Sequence, residues 1–538
     1  MRQVASTIFL LLFISASSIA QDRYMVFFKD KANSSFSINT PEAFLSERSL
    51  ARRTKNNVLL SEEDIPVNQA YINQVSSLGV ETYFSTKWMN GVLVQMEASQ
   101  VAEVESLSMV DRVEYVAPGN ILTPVPFARA KFAESPVATS RISERQYEML
   151  DLDHMHQAGF FGEGVLIGVL DDGFQNYNTL SAFEHAVLSN RITYTYDFTR
   201  NRPSVDNNFN HGLRVLSIIA ADNQEIIGGA PGAQFFLAVT EAPGEYRVEE
   251  YNWLFAAEKA DSAGVDIITT SLGYNDFFDD DRMDYTVEEM DGLTAISTQA
   301  ANYAAARGIL IIASAGNTGS DDWRITTAPA DSENVISVGA VDENELLAAF
   351  SGLGPTADER IKPDVVAHGV RTRLLTSSGG IAFQNGTSFS APLVASLAAG
   401  LMEAFPEITA SEIREVIRSS GDRADSPDNF YGYGIPGFIR ASRILDETLR
   451  PIDQGIVTYP NPTALPYFTI AFEEGFIDQP ITAELVNAAG AVIQTYSFTP
   501  GLFQNKFRVD LSKMKSGLLL LKVFTPAGVL TKKIIKTQ

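Results

Sequence analysis

The sequence has no cysteine, no surplus of basic residues, and no long apolar run outside its N-terminus. The lack of cysteine excludes disulfide bonds and cysteine-ligated metals, and it is more typical of a bacterial than of a eukaryotic exported protein. Asp and Glu number 66 against 41 Lys and Arg, and the net charge of −25 argues against nucleic acid as a partner. Beyond the N-terminus, no stretch is apolar over the length that a transmembrane segment needs.

Residues 1–20 have the pattern of a secretory signal peptide. Arg2 precedes an apolar run over residues 8–14, and Ser18-Ile19-Ala20 is a small-residue cleavage site, so we expect the mature chain to begin near Gln21. The run is too short to span a bilayer as an anchor. The whole length, at about 150 residues per domain, predicts three or four units.

Residues 21–117 show the pattern of a small α+β domain. Their apolar spacing predicts a β-α-β-β-α-β order, which is the ferredoxin-like split motif. The predicted strands are 24–29, 80–85, 91–96 and 110–116, and the predicted helices are 69–78 and 100–107. Residues 118–149, with four prolines among small and polar residues, indicate a linker.

Residues 150–447 alternate apolar strands with helices, which predicts an α/β domain with a doubly wound parallel sheet. Gly264 and Gly308 stand where helix C-caps belong, and Thr409 to Glu412 has the spacing of a capping box. The predicted strands are 165–171, 234–239, 265–270, 309–313 and 335–341, and the predicted helices include 215–221, 248–263, 293–307 and 389–405. In such a sheet, ligands bind beyond the carboxyl ends of the strands.

The most informative motif is Gly386-Thr387-Ser388-Phe389-Ser390-Ala391-Pro392. A turn of small residues brings Ser388 to the start of an apolar helix, and proline is tolerated in the first turn of a helix. The positive end of that helix then faces whatever Ser388 attacks. A serine that merely caps a buried helix would not also require Gly386, Ser390 and Pro392.

This motif resembles that of the subtilisin-like (subtilase) serine endopeptidases. The resemblance implies a subtilisin-like fold and the order Asp, His, Ser along the chain. Asp171 ends the apolar run 165–170, His211 precedes the apolar segment 215–221, and Asn317 follows the run 309–313. A strand-end aspartate or a His-Gly pair alone is more often structural, but together in this order they match the family.

The resemblance implies a role for each of these residues. Ser388 would be the nucleophile, and His211 would be the general base and then the general acid toward the leaving amine. Asp171 would fix the imidazole tautomer and stabilise the imidazolium. Asn317 would donate its amide to the oxyanion together with the Ser388 backbone N–H.

Two further segments are expected to bind substrate. In the family, the strand that runs into Ser271-Leu272-Gly273 is an extended edge with which a peptide pairs. Ala315 and Gly316 would form the facing wall of the first specificity pocket. The alternative is that these residues are only a sheet strand and its turn.

The chain departs from the family pattern at two positions. Asp172 stands where Ser or Thr usually follows the aspartate, and Leu213 stands where Thr usually follows His-Gly. Two close carboxylates resist joint ionisation, so we expect Asp172 to point away, as alternation along a strand predicts. The departures leave open a catalytically inactive subtilase-fold binding protein at the cell surface. A hydrolase of non-peptide acyl substrates is a further alternative, against which the peptide-pairing strand argues.

Residues 276–284 form an acidic loop, with Asp279, Asp280 and Asp281 consecutive. Many subtilases bind structural calcium through oxygen-rich loops, but this spacing matches no specific calcium motif. We therefore expect a solvated insertion near the substrate cleft and a reaction that needs no cofactor or catalytic metal.

The resemblance also implies functions for the two units that flank residues 150–447. Residues 21–117 resemble a propeptide that assists folding and inhibits the enzyme until cleaved. From residue 455 the pattern changes to short strands, at 483–486 and 491–496 on either side of an Ala-Ala-Gly turn and at 518–525 and 529–535 on either side of Pro526-Ala527-Gly528. These short strands predict a small β-sandwich over 455–538.

Tyr459-Pro460-Asn461-Pro462 and the lysine-rich end resemble the C-terminal sorting domain of the type IX secretion system of Bacteroidetes. The usual aromatic after Ser-Gly is replaced by Leu518-Leu519. This resemblance implies export by the outer-membrane secretion machinery to the exterior or the cell surface. A carbohydrate- or protein-binding module is the alternative.

Overall fold

The computed structural model describes residues 21–119, 142–449, 455–472, 474–487, 490–501, 504–525 and 528–537. The predicted signal peptide and most of the predicted linker lie outside the described residues. So do residues 488 and 489 and residues 526 and 527, which were expected in two turns of the C-terminal unit.

The N-terminal domain has the predicted β-α-β-β-α-β core. Its sheet has the antiparallel order β2-β3-β1-β4. One additional helix, α1, was not predicted; it begins after Ser46, whose side chain accepts a hydrogen bond from the Ser49 N–H. The elements are β1 Asp22–Phe28, α1 Glu47–Lys55, α2 Gln69–Ser76, β2 Glu81–Thr86, β3 Gly91–Met96, α3 Val101–Glu105 and β4 Val110–Ala117.

The second domain is built on a parallel sheet, as predicted; the sheet has seven strands, two more than the five that were predicted, and the additional strands are at its two edges. The strands are β5 Leu166–Asp171, β6 Ile192–Asp197, β7 Gln234–Val239, β8 Ile267–Thr270, β9 Leu310–Ser314, β10 Val335–Val341 and β11 Val365–His368. Their order in the sheet is β11-β10-β9-β8-β5-β7-β6. The chain leaves β5 toward one side and returns to β8 on the other, so the crevice at this switch point lies next to the end of β5.

Helices cover both faces of this sheet. The helices are α4 Ile142–Glu148, α5 Leu152–Gln157, α6 Glu184–Leu188, α7 His211–Ala220, α8 Val248–Ala263, α9 Ile296–Ala306, α10 Thr387–Ala404, α11 Ala410–Ser419 and α12 Phe438–Leu449. A hairpin of β12 Thr372–Leu375 and β13 Ile381–Gln384 precedes α10. The helix α8 ends at Gly264 with φ of 90°, and Thr409 and Glu412 form the expected capping box.

The strands are almost wholly buried because each contributes to two cores. In β5, Ile167 and Val169 pack with α7 and α10, whereas Leu166 and Leu170 pack with α8. Alternate strand residues point to opposite faces, so a strand covered on both sides is apolar throughout. Phe27 of the N-terminal sheet belongs to the second core, so the N-terminal domain covers α8 and α9.

A buried group of charges joins these two domains. The carboxylate of Asp261, on α8, is bound by Arg52 at 2.5 Å, by Arg53 at 2.9 Å and by Lys87 at 2.7 Å. Arg53 also pairs with Asp64 at 3.0 Å, within the N-terminal domain. These side chains are at most 8% exposed, so the interface removes several charges from water and pairs them.

The C-terminal domain is an all-β sandwich, as predicted. Its antiparallel sheets have the orders β14-β15-β18 and β17-β16-β19-β20. The strands are β14 Ile456–Tyr459, β15 Tyr467–Phe472, β16 Ile481–Asn487, β17 Val492–Phe498, β18 Lys506–Asp510, β19 Gly517–Thr525 and β20 Gly528–Lys536. The domain contacts the second domain where Tyr459 stacks on Phe405 and Arg508 pairs with Glu403.

Candidate active site

Asp171 and His211 form a buried hydrogen-bonded pair. Asp171 is the last residue of β5 and has no exposed surface, and His211 is the first residue of α7 and is 2% exposed. The imidazole Nδ1 lies 2.7 Å from Asp171 Oδ1. An ionised carboxylate accepts from Nδ1–H, so this contact selects the tautomer in which Nε2 accepts a proton.

The turn after Asp171 lies directly against the start of α7. The N–H of Asp172 donates to Asp171 Oδ1 at 2.8 Å, and the N–H of Leu213 donates to the Gly173 carbonyl at 3.1 Å. A Cβ on Gly212 would lie 2.8 Å from Asp171 Cβ and 2.7 Å from the Gly173 oxygen. Glycine is therefore required after His211 for the helix to approach the aspartate this closely.

The expectation that Asp172 points away from this pair is wrong. Ligand atoms of Asp171, Asp172 and His211 all lie within 4.8 Å of one another. Burial, and next the charge of Asp171, raise the pKa of Asp172 to about 7, although His211 opposes them. The strand ends at Asp171, so alternation no longer sets the direction of the next side chain, and the turn folds back onto α7.

Ser388 is the second residue of α10 and is 2% exposed. Its Oγ hydroxyl donates to the Ser271 carbonyl at 3.3 Å, and the Ser271 hydroxyl donates to the Ser388 carbonyl at 2.8 Å. The imidazole of His211 lies against Phe389, with ring centroids 5.7 Å apart. The helix begins two residues earlier than predicted, so Ser388 is inside its first turn, where the N–H groups lack partners within the helix.

Asn317 lies just beyond β9 and is held by Thr387. The Asn317 Oδ1 accepts from both the N–H and the hydroxyl of Thr387, each at 3.0 Å. A backbone N–H can only donate, so this bond fixes the oxygen of the amide and leaves the amide nitrogen on the other side. A Cβ on Gly386 would lie 3.7 Å from that nitrogen, which places the amide donor beside the turn that carries Ser388.

The two expected substrate-binding segments follow neighbouring strands. Ser271, Leu272 and Gly273 follow β8, and Ala315 and Gly316 follow β9. The structure thus brings all the predicted site residues to one edge of the sheet.

Sequence reasoning missed Thr327, which lies between these segments. A Cβ on Gly273 would lie 2.2 Å from Thr327 Oγ1, and one on Gly316, which has φ of 93°, would lie 3.0 Å from it. Tyr274 also pairs with Ala328, the neighbour of Thr327, at 2.9 Å. The segment around Thr327 has no periodicity, so no sequence signal placed it at the site.

A cluster of carboxylates lies at a place where the sequence analysis predicted no metal-binding group. Among the described residues, the carboxylates of Glu241, Glu245 and Glu249 lie within 4.8 Å of one another, beyond the end of β7. Their spacing of four residues is the signal that could have identified them. Carboxylate oxygens are the ligands that calcium prefers.

The acidic loop 276–284 forms no such group in the described part of the chain. Two of its carboxylates bind within the loop: Asp280 pairs with Arg282 at 2.5 Å, and Asp284 accepts from the Phe278 N–H at 2.9 Å. Asp279 accepts from the Glu245 N–H at 3.3 Å, outside the loop. Asp279 and Asp281 are exposed to solvent.

A buried Asp–His pair at the end of a strand of a parallel sheet, and a serine in the first turn of a helix whose next residue contacts the histidine ring, are features that serine hydrolases share. The sequence model described as the subtilase family matches residues 162–434, half of the chain, and the chain therefore belongs to this family. Residues 23–130 match the peptidase S8 propeptide domain of Bacteroidota, and residues 457–537 match the secretion system C-terminal sorting domain.

Several characterised proteases are similar to the chain. Serine protease AprX from Bacillus subtilis is 29% identical over 305 residues, which cover 51% of this chain and 65% of that protein. A thermophilic serine proteinase from a Bacillus species is 32% identical over 50% of this chain and 60% of its own length. Subtilisin DY from Bacillus licheniformis is 30% identical over 53% of this chain and 93% of its own length.

The solved structure of MycP1 from Mycobacterium smegmatis has a TM-score of 0.46 and 20% identity, and covers 58% of this chain and 87% of that one. The sorting domain directs the chain to the cell exterior or surface. Within the described ranges, the helices are too short or too polar to cross a bilayer.

Proposed function

We propose that the protein is a secreted serine endopeptidase, made as an inhibited precursor, that cleaves peptide bonds through an acyl-enzyme. The observation that carries this is the 2.7 Å contact between Asp171 and His211, whose ring lies against Phe389, the residue that follows Ser388 in the first turn of α10. The similarity to proteases over the same domain supports it.

In the proposed reaction, His211 takes the proton of Ser388 as Oγ attacks the carbonyl carbon of the peptide bond. The oxyanion that forms accepts hydrogen bonds from the Asn317 amide and the Ser388 backbone N–H. His211, stabilised as imidazolium by Asp171, then protonates the leaving amine. Water repeats these steps and releases the acyl group, and no cofactor takes part.

The substrate is a protein or peptide in an extended conformation. It would pair with Ser271, Leu272 and Gly273 on one side and lie along Ala315 and Gly316 on the other. This placement of the substrate is supported by the positions of the two segments. They follow neighbouring parallel strands, and Gly273 and Gly316 both lie against Thr327. Backbone pairing favours peptides over other acyl substrates.

The N-terminal domain is the inhibitor of the precursor. Its strand β4 ends at Ala117, and Tyr115 of this strand lies 5.8 Å from the guanidinium of Arg282 in the acidic loop beyond Tyr274. The end of β4 thus lies on the side of the domain where the crevice lies. The C-terminal domain would engage the outer-membrane secretion machinery.

The second candidate is an inactive subtilase-fold binding protein. It is favoured by the position of Asp172, a carboxyl group within 4.8 Å of Asp171 and His211 where the family pattern has Ser or Thr.

The decisive experiment is labelling with a fluorophosphonate probe after removal of the N-terminal domain, comparing wild type with Ser388→Ala. Labelling of wild type alone supports an activated Ser388. A folded wild-type protein that does not react supports the binding protein.

The role of the C-terminal domain has a separate test. Deletion of residues 455–538 should leave peptidase activity unchanged and prevent release of the protein from the cell. Release of the truncated protein would contradict the sorting role.

A further inference from the structure

The helix that carries His211 is capped by a residue from another part of the chain. The side chain of Asn210, which precedes α7, makes no capping hydrogen bond. Instead, Asp172 Oδ1 accepts from the Gly212 N–H at 3.1 Å, and the Gly173 carbonyl accepts from the Leu213 N–H. The first N–H groups of a helix lack partners within it, and a carboxylate there also meets the positive end of the helix dipole.

Asp172 is itself held in place. The Asn207 amide donates to the Asp172 carbonyl at 2.9 Å, and Asn207 Oδ1 accepts from the Phe209 N–H at 2.9 Å. A Cβ on Gly173 would lie 1.9 Å from Asn207 Oδ1, so the turn and the segment before α7 are in direct contact. The side chain of Asp172 therefore links two fixed backbone segments.

We propose that Asp172 is a positioning residue: it caps α7 and thereby fixes the imidazole of His211 against Asp171. This inference rests on the proposed peptidase function. It gives a role to the residue that departs from the family pattern, where Ser or Thr is usual.

The charge of Asp172 has a second consequence. The charged groups that face its carboxylate are Asp171, His211 and Glu241. When Asp172 is ionised, two carboxylates rather than one stabilise the imidazolium. Removal of this charge should move the acid limb of kcat/KM to lower pH, which a purely structural cap would not do.

The test compares Asp172→Ala, Asp172→Asn and the control Thr409→Ala in the full chain, allowed to process as wild type does. Asn keeps an oxygen that accepts from Gly212, whereas Ala does not. We expect Asp172→Ala to lower kcat about 10-fold with KM changed less than about twofold, because only the transition state needs the placed imidazole. Asp172→Asn should restore most of kcat, and both should shift the acid limb.

Thr409→Ala removes a cap from α11, which follows the end of α10 opposite to Ser388, and should lower the melting temperature without lowering kcat. Wild-type kcat and pH profile in Asp172→Ala would overturn the proposal, as would equal losses in the Ala and Asn variants. If Asp172→Ala does not fold, an unchanged pH profile in Asp172→Asn overturns it. Failure of the proposed function differs, since wild type itself would then show no hydrolysis or labelling.

Discussion

Two buried parts of this molecule place aspartates in opposite electrostatic surroundings. At the interface between the N-terminal domain and α8, Asp261 is bound by Lys87, Arg52 and Arg53, which lower its pKa to about 2 against the effect of burial. At the candidate active site, burial and the charge of Asp171 raise the pKa of Asp172 to about 7.

The difference indicates what each region is for. The interface surrounds the carboxylate of Asp261 with three cations, so this carboxylate stays ionised near neutral pH and helps to hold the two domains together. The active site places a second carboxylate beside the Asp171–His211 pair, so its charge changes in the range where imidazole transfers protons. Stable docking requires compensated charges, whereas proton transfer requires groups that remain able to change charge.

The largest expected effect is that of Asp171→Asn. The amide would hold the wrong tautomer of His211, so kcat should fall about 10⁴-fold with the fold intact. Peptide hydrolysis by the processed protein measures this, and the melting temperature checks the fold. Asp321→Asn, at an exposed aspartate, is the matched control. A loss below about tenfold would show that Asp171 does not orient the base.

Asp261→Asn should affect the other region. It leaves Arg52, Arg53 and Lys87 buried around a neutral amide, which costs about 3–5 kcal/mol of the free energy of unfolding. Thermal unfolding of the precursor, kept unprocessed by Ser388→Ala, measures this loss. In the processed protein the three cations have left, so the loss should nearly vanish; equal losses in both forms would contradict this account of the interface.

Most of the fold was predictable from the sequence, since buried parallel strands are continuous apolar runs and Gly264 ends α8 as a C-cap should. At the site, Asp171, His211 and Asn317 were predictable because the motif around Ser388 indicated the family and hence their order along the chain. Helix α1 was not predictable, because Arg52 and Arg53 on its buried face contact charges of the other domain and leave no apolar period. Asp172 was misplaced because strand alternation was extended one residue past the end of β5.

Arg52→Lys separates charge from geometry at the interface. The guanidinium of Arg52 donates to the carbonyls of Val265 at 2.7 Å and Arg307 at 3.2 Å, just beyond the ends of α8 and α9. Lysine keeps the charge but cannot reach both carbonyls and Asp261, so the precursor should lose about 2 kcal/mol in unfolding free energy. Arg112→Lys, at an exposed arginine, is the control. An unchanged precursor would show that charge alone suffices.

The smallest effect expected is a pH-dependent one at Asp172. Its pKa in the folded protein is about 7, above the ordinary value of 3.8. The stability that this carboxyl group contributes is therefore fully present below about pH 3.8 and is lost as the pH rises through about 7. Asp172→Asn does not titrate and should therefore melt a few degrees above wild type at about pH 8. Near pH 4 both side chains are neutral, and the difference in melting temperature between the two proteins should disappear.

Every other titrating group is shared by the two proteins. The pH dependence of their difference in melting temperature therefore isolates the carboxylate of Asp172. A gap of the same size at both pH values would mean that the asparagine packs better, and that the charge of Asp172 is compensated as fully as that of Asp261.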